Sequence, residues 1–159
     1  MKDHIIIKKT KYDVIMNSIS YLLLIGIILY LFLNWSHIPD KIPGHYNALG
    51  MVDRWGNKNE LWICPIIGVI LVIGITLIEK FPQAWNVGIQ VTEQNKERVY
   101  RLLKNMIVTE KGVITAVFVF ITANSALAKP MPIWFLPVFL ILLFGSIGIF
   151  IKKLMKLRQ

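Results

Sequence analysis

Between Asn34 and Glu60 the chain gathers a set of residues able to do chemistry: Asp40, His45, Asn47, Asp53, Trp55, Lys58 and Glu60. His45 with Asp40, Asp53 and Glu60 offers the nitrogen and oxygen ligands that a divalent metal takes, and zinc uses three or four such groups. No two of them share the tight spacing of a strong metal motif, such as two His four residues apart on one helix. His45 and Asp53 remain the metal candidates, and no other cofactor is expected. The same side chains have a plainer use. Asp40, Asn47 and Asp53 can cap turns or helix starts, which leaves His45 to hydrogen-bond within the loop.

The loop is rich in turn formers. Pro39 and Pro43 fix their backbone angles, and Gly44, Gly50 and Gly56 permit positive φ. With Trp35 and Trp55 also present, the composition points to a defined loop and away from a disordered spacer. Trp35, Trp55 and Trp62 suit an aromatic belt at a membrane interface, or a platform that receives an amphipathic ligand. Lys41, Arg54 and Lys58 can pair with Asp40, Asp53 and Glu60, so a strongly anionic ligand is not demanded.

The elements that hold this loop are apolar. Hydrophobic residues make up 55% of the 159-residue chain, and they fall into long uncharged blocks. A spanning helix needs roughly 20 apolar residues. Four blocks qualify or nearly so, at about 15–33, 61–78, 112–128 and 133–151. The expected fold is therefore all-α, an integral membrane bundle of four transmembrane helices forming one domain. The third block is short, so its helix should begin earlier. The turn Lys129-Pro130-Met131-Pro132 makes the third and fourth spans a tight antiparallel pair. The first block is too long for a signal-peptide core and has no small-x-small cleavage site after it, so it reads as a retained span.

Lys and Arg set the orientation. The N-terminal tail carries Lys2, Lys8, Lys9 and Lys11, the segment after the second span carries six such residues, and the C-terminal tail carries Lys152, Lys153, Lys156 and Arg158. Loop 34–60 and the Pro-rich turn carry only Lys41, Arg54, Lys58 and Lys129. Both the N and C termini are expected to be cytoplasmic, with loop 34–60 outside. The segment 92–111 reads as an amphipathic helix, with Thr92 as N-cap, Val99, Leu102, Leu103, Met106 and Ile107 on one face, and Lys96, Arg98, Arg101 and Lys104 on the rest. It should lie on the cytoplasmic face against anionic lipids and run into the third span. A net charge of +9 placed around apolar blocks fits lipid and argues against nucleic acid.

The single cysteine, Cys64, excludes an intramolecular disulfide and reads as a small buried hydrophobe. Gly68 and Gly74, and Gly145 and Gly148, are small positions that allow close helix contact. Asn124 should find an interhelical hydrogen bond. No block carries an ionisable residue near its middle, which argues against an ion-coupled transporter.

The run Pro39-Asp40-x-Ile42-Pro43-x-His45-Tyr46-Asn47-x-x-Gly50-x-x-Asp53-x-Trp55-Gly56-x-Lys58 resembles the signature of bacterial membrane proteins of the domain of unknown function 1648 family (DUF1648). That domain also forms the N-terminal part of SdpI-like immunity proteins, which protect cells from a secreted peptide toxin and signal its presence. The resemblance implies a multi-pass protein of the plasma membrane, and with the Lys- and Ile-rich composition it implies a Gram-positive bacterium. The expected function is a sensor or immunity-type protein that binds a peptide toxin or envelope component through Asp40, His45, Asn47, Asp53, Trp55 and Lys58. Two alternatives stand beside it. One is a metal-assisted membrane hydrolase with its site in loop 34–60, although no Gly-x-Ser-x-Gly or His-Glu-x-x-His motif is present. The other is a membrane subunit or scaffold with a membrane protein partner.

Overall fold

The computed structural model describes residues 7–85 and 87–158. Lys2, one of the charges that set the expected orientation, lies outside them. Four helices carry the fold: α1 (Lys11–Asn34), α2 (Ile63–Ile78), α3 (Lys96–Ala126) and α4 (Phe135–Met155). Between α1 and α2 stand two antiparallel strands, β1 (Lys41–Tyr46) and β2 (Val52–Asn57). Four helices, two of them extended by flanking 3-10 turns, are long and apolar enough to cross a membrane.

The local signals explain the boundaries. α1 opens with a capping box: Thr10 accepts from the Asp13 backbone, and the Asp13 carboxylate accepts from Thr10. A second capping box, made by Asn57 and Glu60, starts the 3-10 turn Lys58–Trp62 that leads into α2. Thr92 caps a turn, as expected, but that turn precedes the helix. It exchanges hydrogen bonds with Asn95, and the helix proper begins at Lys96.

α3 is the central element, packing against each of the other three helices. Its inward face is polar at helical spacing, with Lys104, Lys111, Thr115, Thr122 and Ser125 all buried. Large apolar side chains such as Leu22, Leu33, Ile133 and Ile141 face outward. This is the pattern of a bundle surrounded by hydrocarbon, where apolar side chains gain nothing by leaving lipid and polar ones gain by meeting each other. In α4, Leu154 alone is buried among the described residues.

Two apolar clusters close the ends. One joins Leu31, Ile38, Ile42, Leu61 and Ala126 beneath the strands. The other joins Val99, Leu103 and Leu154 at the opposite end. There Arg101 donates to the Lys8 carbonyl and Asn95 donates to the Leu157 carbonyl at 3.1 Å, so both ends of the described chain meet at the start of α3.

The expected helical bundle stands, but it is not purely α, because loop 34–60 pairs into a hairpin whose Ile42 and Pro43 are buried. Segment 92–111 runs into the third span as expected, and Glu97 and Arg98 are exposed on it, but its cations do not all face outward. Arg101 and Lys104 turn inward to the buried Asp13, with Arg101 Nη1 2.8 Å and Lys104 Nζ 3.8 Å from its Oδ2. The apolar blocks keep their middles free of ionisable residues, but Lys111, at the edge of the third, is fully buried in α3 and bonds Glu79, Asn17 and Thr76. Gly74, Gly145 and Gly148 make no close contact within the chain, whereas Gly68 lies against Leu24.

Candidate functional site

The hairpin does not stand free. β1 carries an irregularity at Gly44, so that Pro43 pairs with Trp55 and His45 with Arg54. A Cβ at Gly44 would sit 2.7 Å from the Arg54 guanidinium and would displace it. Arg54 Nη2 uses that space to donate to the Gly44 carbonyl at 2.7 Å and to Glu60 Oε2 at 2.8 Å. The Glu60 hydrogen bond and charge hold the Arg54 pKa above its ordinary value.

Asn47 builds the turn. Its Oδ1 accepts from the backbone of Leu49 and Met51, both at 3.0 Å, and its own backbone N–H donates to Met51. Gly50, at φ +81°, accepts from the Met131 backbone at 2.8 Å, which docks the hairpin tip on the turn between α3 and α4. Tyr46 fixes the other side of the tip. Its hydroxyl lies 3.1 Å from Ser125 Oγ and donates to the Lys129 carbonyl at 3.1 Å. Asn124 donates to the Tyr46 hydroxyl and to the carbonyls of Lys129 and Pro130. The amide of Asn124 thus ties a turn and the hairpin to its helix; the expected helix-to-helix bond is not the one it makes.

His45 and Asp53 meet across the strands, with Nδ1 2.6 Å from Oδ1, and both are solvent-exposed. The pair leaves the His45 Nε2 atom open to a ligand. As metal donors they number two, and among the described residues no third His, Cys, Asp or Glu completes a group.

Lys58 points away from this pair. Its ammonium donates to the carbonyls of Trp35 and Ile38, at 3.0 and 3.3 Å, and lies 5.0 Å from the Trp35 ring centroid. Lys58 therefore staples the hairpin base to the end of α1. Asp40 is almost wholly exposed, 3.6 Å from Lys58 Nζ, and Trp55 is exposed on β2. Trp35 and Trp62 meet as a tilted pair, 5.9 Å between centroids.

Beneath the hairpin lies a cavity of about 380 Å³. The hairpin gives it Pro43, His45 and Tyr46, α2 gives Cys64, α3 gives Ile121 and Ser125, and α4 gives Leu136. Arg54 and Glu60 form a charged part of its wall. The interior is mostly apolar, with few polar groups, which is the usual make-up of a small-ligand site. Cys64 is half-buried in this wall and is not a plain core residue.

Of the six expected site residues, the structure brings His45 and Asn47 to the cavity and sets Asp53 behind His45. Asp40, Trp55 and Lys58 do not line it. Sequence reasoning passed over Tyr46, Ser125 and Cys64 as cavity residues. It gave Arg54 only a generic pairing, and Glu60 that pairing or a place among possible metal ligands. Asn57-x-x-Glu60 carries a capping signal that would have fixed Glu60. Nothing local marks Tyr46 and Ser125, which are 79 residues apart.

Comparison with known proteins agrees with the motif. Residues 22–69, covering the second half of α1, the whole hairpin and the start of α2, match the Domain of unknown function family DUF1648. An uncharacterized protein of Archaeoglobus fulgidus is 38% identical over 66 residues, which is 36% of this chain and 36% of that protein. The chain thus matches little more than a third of that relative's length. No solved structure matches the chain.

Proposed function

We propose that this small multi-pass membrane protein is a sensor or immunity-type protein that captures an amphipathic peptide or envelope component at the hairpin end. The observation that carries the reading is the apolar cavity of about 380 Å³ walled by Arg54 and Glu60, with the His45–Asp53 pair above it. An apolar side chain or acyl segment would fill the cavity. A polar group on the same ligand would meet His45 and the Arg54–Glu60 pair.

The hairpin tip is bonded to the turn between α3 and α4 through Gly50 and Tyr46. A ligand that moves the hairpin therefore pulls on α3, whose far end holds Asp13 through Arg101 and Lys104. This supplies a physical connection between the two ends of the bundle. The excess of Lys and Arg at the terminal end supports a cytoplasmic placement of both termini and an outward hairpin in the plasma membrane. The implied Gram-positive source remains part of this reading.

The test is a protection assay in a sensitive bacterium challenged with membrane-active peptides. Wild type is compared at matched expression with His45→Ala, Asp53→Ala and Ile121→Trp, the last filling the cavity. Protection by wild type that falls in all three variants supports the proposal. Protection unchanged in the variants, or none from wild type against the whole panel, overturns it.

A further inference from the structure

At the terminal end a second hollow, about 290 Å³, opens between the first turns of α3 and the last turn of α4. It is lined by Arg98, Arg101, Leu102, Asn105, Lys153 and Leu157, with no carboxylate among them. Arg101 is already engaged by Asp13 and Lys8. Among the described residues Arg98 and Lys153 have no ion-pair partner, and Lys153 has only the Phe150 ring, 5.9 Å from its ammonium. Leu102 and Leu157 form an apolar floor continuous with the cluster of Val99, Leu103 and Leu154. Asn105 Oδ1 is buried with no hydrogen-bond partner.

Depth decides what such a hollow meets. α3 has 31 residues, so it is about 46 Å long, against about 30 Å of hydrocarbon. The excess stands in the headgroup layer, and Arg98 lies in the first turn of α3. Lys152 and Lys153 lie in the last turn of α4. Two free cations over an apolar floor at headgroup depth match a phosphodiester with acyl chains attached, because basic pockets between membrane helices take acidic headgroups.

We infer that this hollow binds an anionic phospholipid, its phosphate held by Arg98 and Lys153 and the upper part of its acyl chains resting on Leu102 and Leu157. The site lies at the opposite end from the hairpin cavity and is independent of the function proposed for it.

The test uses the full chain in a neutral maltoside detergent, stripped of copurified lipid. It is titrated with dioleoyl phosphatidylglycerol, dioleoyl phosphatidylcholine or inorganic phosphate, and bound lipid is counted by native mass spectrometry. Wild type should retain phosphatidylglycerol over phosphatidylcholine. Arg98→Gln with Lys153→Gln should weaken that retention by roughly 30-fold. Lys152→Gln with Lys156→Gln, an equal loss of charge outside the hollow, should change it by about threefold or less. If the first double variant does not fold by circular dichroism, Arg98→Gln alone should cost roughly fivefold.

Equal retention of phosphatidylcholine, or equal loss in both pairs, overturns the site. Competition by millimolar inorganic phosphate overturns the lipid and leaves a small-anion site.

Discussion

Tyr46, on the strand that enters the hairpin turn, places its hydroxyl 3.1 Å from Ser125 Oγ near the end of α3. That contact joins the motif-bearing segment to a helix outside the 22–69 match. Together with the Lys129 carbonyl and Asn124, it forms the polar knot that holds one wall of the hairpin cavity in place.

Tyr46→Phe should therefore cost about 1–3 kcal/mol, since it leaves the buried Ser125 and the half-buried Asn124 without their hydroxyl partner. Asn124→Ala should cost a similar amount. The double variant should cost less than the two single effects added together, because both act on one network. Unfolding in mixed micelles of dodecyl maltoside and dodecyl sulfate measures all three. Strict additivity would show that the knot is not a unit.

Gly50 should resist substitution. At φ +81° any side chain is strained, and a Cβ would collide with the Met131 carbonyl oxygen. Gly50→Ala is expected to cost at least about 1–2 kcal/mol and to undock the hairpin tip. Gly26→Ala, in α1 with open space around it, should stay within about 1 kcal/mol of wild type. Protease cleavage in the turn 47–51 reads the undocking directly.

The Lys111–Glu79 pair is buried, with Asn17 and Thr76 completing the ammonium's partners. Lys111→Met leaves a carboxylate unpaired and is expected to cost about 3–5 kcal/mol. Lys111→Met combined with Glu79→Leu should recover most of that loss, since no lone charge remains. The same mixed-micelle titration decides it. A double variant as unstable as the single would mean that the polar contacts, and not the stranded charge, set the cost.

Arg54→Gln and Glu60→Gln should each loosen the cavity wall, and their effects should be coupled. Both groups reach solvent, so the coupling should shrink as salt is raised. Fluorescence quenching of tryptophan, with Trp55 on β2 beside Arg54, follows the change. A salt-independent coupling would place the pair out of reach of solvent ions.

The four membrane-length helices and the chemical density of loop 34–60 are legible in the residue order alone. Uncharged runs of such length have one stable backbone solution in hydrocarbon, because every peptide group must bond within its own segment. The motif likewise marked its own stretch, and the short-range turn roles of Asn47 were open to reading from its residue type. The remainder came from how the helices pack. The facing of Lys104 and Lys111 depends on which side of α3 meets α1 and α2, and a count of charges per loop holds no such angle. The cavity depends on Tyr46 finding Ser125 and on Gly50 meeting Met131, contacts between residues far apart in the chain. Long-range contacts of this kind arise only when packed helices bring their ends together, so no local pattern of residues could have announced them.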